Sequence, residues 1–203
     1  MRRISLVRIR VAVAGAGVAA VSVAAVVGSP LPAAAQRLSW SVVPSPSPGT
    51  VINQLDGVSC ASATVCMAVG DDYTNGGYVS TLIESSGGTG WSVVPSPSPS
   101  TSGNFLYGVS CASAAACMAV GAQGTSGTPA YTALIEAWDG ASWSVVPGPG
   151  WSGLQLHGVS CISATACTAV GARRSGTLIE SWDGTSWSIV PSPDPSREIQ
   201  HPR

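Results

Sequence analysis

Short runs of Val, Ile, Leu, Thr and Trp alternate with Gly-, Ser-, Asp- and Pro-rich breaks from about residue 38 to residue 195. The runs recur in one order. G-V-S-C comes first, at 57–60, 108–111 and 158–161, each time preceded by L-x. C-M-A-V-G or C-T-A-V-G follows, at 66–70, 117–121 and 167–171. The third run ends in Glu84, Glu136 and Glu180, and the fourth is W-S-V-V-P or W-S-I-V-P from Trp91, Trp143 and Trp187. Each run is short, rich in β-branched and aromatic residues and bounded by turn formers, so each reads as a strand. A-S-A-T and its variants make a tight turn between the first two runs. Asp-Gly in W-D-G-A-S-W (138–143) and W-D-G-T-S-W (182–187) predicts a hairpin between the last two. The first repeat has Ser86-Gly87-Gly88-Thr89-Gly90 there instead.

A repeat of about 50 residues built from four strands is the length of a propeller blade. The pattern therefore predicts an all-β chain of three propeller-like blades, each of four short antiparallel strands. The blades fall at about 52–98, 104–150 and 154–195. Polar Ser/Pro stretches of extended geometry would carry the chain from the outer edge of one blade to the inner edge of the next. A further W-S-V-V-P at 40–44 predicts an extra N-terminal strand over 38–44. Closed propellers usually have about four to eight blades. Three blades predict an open arc, a shortened array, or a propeller completed by a homo-oligomer.

Composition changes the picture at the N-terminus. The 203-residue chain has no Lys, and its formal net charge is −1. Four of its nine Arg lie at positions 2, 3, 8 and 10, before the apolar run Val11–Gly28. Ser29-Pro30-Leu31-Pro32 breaks that run, and Ala33-Ala34-Ala35 offers a small-residue cleavage site. This predicts a secretory signal peptide over 1–35 and a repeat domain over 36–203. An uncleaved membrane anchor is the rival reading. Gly15-Ala16-Gly17 resembles a nucleotide-binding turn, but it sits inside the export signal with no strand before it. Beyond residue 36 the chain has five Arg against ten acidic residues, a net charge of −5. With no basic patch it is unsuited to nucleic acid. After cleavage no membrane segment remains.

The phrase L-x-G-V-S-C-x-S-x-x-x-C-x-A-V-G, followed by T-L-I-E-x-W-D-G-T-S-W-S-x-V-P-S-P, resembles the secreted β-propeller-like repeat proteins common in actinobacteria. These are often compared to kelch or galactose-oxidase-type propellers. The resemblance covers about residues 38–195 and implies the propeller-like fold. It is specific for the repeat and implies no particular activity. W-D-G-T-S-W also resembles the Asp-box of sialidase propellers. Its Asp183-to-Trp187 spacing is one residue short of that motif, so it reads as a turn.

Six Cys in an exported chain predict disulfides. Six allow fifteen pairings. The threefold C-x5-C repeat favours local closure: Cys60 with Cys66, Cys111 with Cys117, and Cys161 with Cys167. Glu84, Glu136 and Glu180 form a repeated acidic position that could bind a cation or act in acid/base catalysis. Repetition in every blade favours a structural role. Asp71, Asp72 and Asn75 occur after the second strand in the first repeat only, and a Gly-containing loop with these ligands could hold calcium. A solvated turn is the plainer reading. Trp151, in a linker outside the repeat, could stack on a sugar ring or pack beneath its loop. His157 occupies the place of Asp56 and Tyr107 and reads as structural. No metal or cofactor site and no catalytic residue is assigned.

These observations predict an exported, non-catalytic binding module for an extracellular glycan or protein. A glycan-active hydrolase or lyase on a propeller scaffold is the alternative, and a structural or adhesive cell-surface protein is the third reading. The lack of a unique acid/base pair weighs against the enzyme.

Overall fold

The computed structural model of the protein describes residues 41–49, 51–124, 131–150, 152–174 and 176–193. The predicted signal peptide over 1–35 lies outside these residues. Twelve strands form three four-stranded antiparallel sheets, each a meander in chain order. The first sheet holds β1 (Ile52–Cys60), β2 (Cys66–Tyr73), β3 (Val79–Ser86) and β4 (Trp91–Val93). The second holds β5 (Asn104–Ser113), β6 (Ala116–Gly124), β7 (Tyr131–Trp138) and β8 (Trp143–Val145). The third holds β9 (Leu154–Ser163), β10 (Ala166–Arg173), β11 (Gly176–Trp182) and β12 (Trp187–Ile189). The described residues contain no helix. The fold is all-β with three propeller-like blades, and no sheet closes on itself.

The repeated phrases map onto one irregularity of the ladder. Leu55 pairs with Gly70 and Gly57 with Val69, which leaves Asp56 as a bulge. Tyr107 and His157 are skipped in the same way in β5 and β9. The glycine of A-V-G makes this possible. A Cβ on Gly70, Gly121 or Gly171 would lie 1.9 Å from the carbonyl oxygen of Gln54, Phe105 or Gln155. Only glycine fits beneath such a bulge. The Asp-Gly turns also form as the sequence implies. Asp139 Oδ1 accepts hydrogen bonds from the backbone N–H of Ala141 and Ser142, both at 2.8 Å. Asp183 does the same for Thr185 and Ser186, and Gly140 and Gly184 supply the positive φ angles of 98° and 96°.

Each blade has two apolar faces. Met67, Val69 and Ile83 on the front of the first sheet are buried against Leu106, Ala119, Leu134 and Trp143 on the back of the second. Met118, Val120 and Ile135 on the front of the second meet Leu156, Ala169, Leu178 and Trp187 on the back of the third. Burial of such side chains is worth about 1.5–3 kcal/mol each, so the core of the molecule lies between blades.

The expected strand over 38–44 is corrected in part. Residues 38–40 lie outside the described residues, and 41–48 are in no strand. A fourth strand needs a third to pair with, and the described chain has no sheet before the first blade. Instead Ser45 Oγ hydrogen-bonds to both carboxylate oxygens of Glu84, at 2.8 and 3.0 Å.

Candidate functional site

The three bulges aim Asp56, Tyr107 and His157 out of the first strands of successive blades. The rings of Tyr107 and His157 stack, with centroids 5.3 Å apart and planes 20° apart. Phe105 stacks on Tyr107 at 6.3 Å and meets Tyr131 edge-on at 6.1 Å. Asp56 and His157 are exposed, and Phe105, Tyr107 and Tyr131 are half-buried. The amide of Gln54 donates to Asp56 Oδ1 at 2.7 Å.

Asp71 belongs to the same strip. It is 3 % exposed. Burial raises its carboxyl to about 6, and the neighbouring charges of Asp56 and Asp72 add to the effect. Burial also pushes the Tyr107 hydroxyl up to about 12, with Tyr131, Asp71, Asp56 and Tyr73 acting in the same direction. Tyr73 is raised for like reasons, through burial and then Asp71, Tyr131 and Asp56. The result is a row of aromatic faces flanked by one exposed and one buried carboxyl, on the rim formed by all three blades.

The structure redistributes the residues singled out from the sequence. All six cysteines form the three local disulfides Cys60–Cys66, Cys111–Cys117 and Cys161–Cys167. Asp71 and Asp72 do not lie in a loop. The second strand runs on to Tyr73, so the two are successive strand residues directed to opposite faces. Asn75 alone of the three lies in the turn closed by Thr74, Gly77 and Tyr78. A calcium loop cannot form from such a placement, and the described residues contain no group of three or more His, Cys, Asp or Glu able to hold a metal ion. Trp151 lies outside the described residues.

Glu84, Glu136 and Glu180 are not strand ends. Each third strand continues two residues beyond its glutamate, to Ser86, Trp138 and Trp182. All three are fully buried. Glu136 and Glu180 sit on the back faces covered by the preceding blade, and among the described residues neither carboxyl has a hydrogen-bond partner. Burial raises Glu136 to about 8 and Glu180 to about 7. They are sealed structural acids, out of reach of any substrate. The sequence reading missed Asp56, Tyr107 and Tyr131 as site residues and took His157 as structural. Variation at one fixed place in L-x-G was the available signal.

The chain matches no protein-family model, and no curated protein is similar to it. The strip is therefore read from its own chemistry. Tyr and imidazole faces with adjacent carboxyls suit a ligand with apolar ring faces and hydroxyl edges.

Proposed function

We propose that the protein is an exported, non-catalytic binding module of the propeller-like repeat type, and that its rim strip holds an extracellular glycan. One observation carries this reading: the stacked Tyr107 and His157 rings stand beside Asp56 and Asp71. Ring faces pack against the C–H faces of a sugar, and the exposed Asp56 carboxyl accepts from its hydroxyls, with buried Asp71 behind it. Three disulfides fit an oxidising compartment, and no helix among the described residues is long and apolar enough to cross a membrane. Titration calorimetry against soluble chito-, xylo- and cello-oligosaccharides tests the reading. Saturable binding to at least one, weakened roughly tenfold or more by Tyr107→Ala and with no sugar released, supports it. No binding to any of them in the oxidised protein sinks the glycan reading and leaves a protein ligand.

A hydrolytic reading draws on Asp71, whose raised carboxyl adjoins exposed Asp56 as an acid beside a base would. Oligosaccharide cleavage lost in both Asp71→Asn and Asp56→Asn would favour it over simple binding.

A further inference from the structure

The two blade contacts inside the molecule are copies of one another, and the outer blades present unused halves of the same contact. Three features recur at both contacts. First, apolar front-face residues cover apolar back-face residues, as described. Second, the glycines of G-V-S-C meet: a Cβ on Gly57 would lie 3.1 Å from the Cα of Gly108, and a Cβ on Gly108 would lie 3.1 Å from the Cα of Gly158. Third, a backbone N–H crosses the gap. Cys111 N–H donates to Ser59 Oγ at 3.0 Å, and Cys161 N–H donates to Ser110 Oγ at 2.9 Å.

On the front of the third blade each feature is left open, and on the back of the first blade the part formed by its first strand is open, while Ala68, Leu82 and Glu84 beside it are buried. On the back of the first blade Val58 is 63 % exposed, where Val109 is 8 %, and Leu55 is 40 % exposed, where Leu106 is fully buried. A cavity of about 360 Å³ opens there between Leu55, Val58, Ala68, Glu84 and Trp91, with Ser45 at its edge. On the front of the third blade Val170 is 48 % exposed, while Val69 and Val120 are fully buried. The Cβ direction of Gly158 meets no neighbouring blade, and exposed Ser160 stands where Ser59 and Ser110 accept their inter-blade bonds.

We propose that a second copy of this chain docks there, with the front of each third blade on the back of the other copy's first blade. Two such contacts related by a two-fold axis close six blades into one ring. A head-to-tail contact must either close or propagate, and two copies give a blade number inside the usual range of about four to eight, whereas three copies do not. The bulge column supplies a chemical match. In the order Asp56, Tyr107, His157, each residue neighbours the next across a blade contact. Docking places His157 of one copy beside Asp56 of the other, an imidazole against a carboxylate. The rim strip then runs unbroken through both copies. Thr168 stands at the place of the buried Met67 and Met118. The contact between copies is therefore less apolar than those within the chain, and the dimer dissociates on dilution.

Residues 41–48 are the rival occupant of the first blade's back, because Ser45 already reaches Glu84 there. In the dimer the outer strand of the other copy's third blade takes that place. The proposal does not depend on what the strip binds.

Light scattering on the oxidised protein, produced through an export pathway, tests it up to about 100 µM, a range where mass action populates a weak dimer. The expected result is twice the chain mass, falling to the single mass in Val58→Arg and in Val170→Arg, with unchanged circular dichroism. Both positions are exposed in the single chain, so neither substitution disturbs its fold. The proposal is overturned by a monomer throughout the range, by a dimer that survives both substitutions, or by a monomer that dimerises only when the chain is started at Pro48. The last would assign the face to residues 41–48. A ladder of trimers and longer species would show that the contact propagates instead of closing, and would overturn the ring.

Discussion

Glu136 and Glu180 are acids held where an acid is expensive. Each lies fully buried between apolar blade faces, so each is retained as the neutral carboxylic acid at neutral pH or near it. The unfolded chain ionises them near 4.5, and the folded chain near 8 and 7. Between these values the folded state holds a proton that the unfolded state has released. Stability is therefore full below about pH 4.5 and falls as pH rises through the window. It levels off once the folded groups have also ionised. Each pH unit in the window costs about a tenfold factor in the folding constant per glutamate. Urea melts from pH 4.5 to 8.5 should show this slope, and Glu136→Gln should flatten it over its share of the range. A midpoint that rises with pH across this window would contradict the burial of both acids. These glutamates were visible in the sequence as a repeated position, and repetition rightly pointed to structure. Their ionisation state was not visible, because it depends on which blade face covers them.

A second residue-scale pattern concerns pairs. Thr81 hydrogen-bonds to Ser96 at 2.7 Å in the first blade, and Thr177 to Ser192 at 2.6 Å in the third. The second blade has Ala133 and Gly148 at the two corresponding places, so both partners of the bond are exchanged together. Replacing both ends avoids leaving one polar group unpaired.

At the scale of elements, each blade is a meander closed at one end by a disulfide and interrupted midway along its first strand by the bulge. The cysteines face one another in register, Cys60 with Cys66, Cys111 with Cys117 and Cys161 with Cys167. A bridge across so short a loop constrains the unfolded chain only modestly. Replacing Cys111 and Cys117 together by Ala should cost about 2 kcal/mol on the loop-entropy account, measured by denaturant melts. A loss beyond about 5 kcal/mol would show that the bridge holds the inter-blade packing as well as the hairpin. Strand number and order within each blade and the Asp-Gly turns were all legible, since each has a local signature in alternation or turn chemistry, whereas the further W-S-V-V-P over 38–44 carried the same signature with no third strand to pair with. The bulge was not. Its two determinants, L-x-G and A-V-G, lie on different strands, and their relation shows only when Leu106 is placed opposite Gly121. The same blindness hid the candidate site, because the bulge is what lifts Asp56, Tyr107 and His157 out of the sheet. For Asp71 and Asp72 the loop reading failed because the ladder partners Gln54 and Asn53 extend the strand past Gly70.

At the scale of the molecule, packing contacts run from the first blade to the second and from the second to the third. The middle blade is covered by a neighbouring blade on both faces and the outer two by a blade on one face each. Stability in such an array is a sum of unit and nearest-neighbour contributions. Hydrogen exchange on the monomeric protein should therefore find the slowest amides in β6 and β7, with β1, β2, β10 and β11 exchanging sooner. Uniform protection across the three sheets would show that the blades unfold as one unit. A protein already closed into a six-bladed ring would also level the three, so the measurement belongs with the Val170→Arg variant.

The self-similar blade contact bears on how such a chain changes over generations. The first two front faces are interchangeable, because Met67, Val69 and Ile83 occupy the same places as Met118, Val120 and Ile135, and the third differs only by Thr168 in place of the methionine. A recombination event that inserts or deletes one whole repeat in frame leaves every surviving junction satisfied. Copy number is then free to drift while each unit stays under selection. Novelty is free to collect at a position that packing between blades does not dictate, such as the bulge that here holds Asp56, Tyr107 and His157.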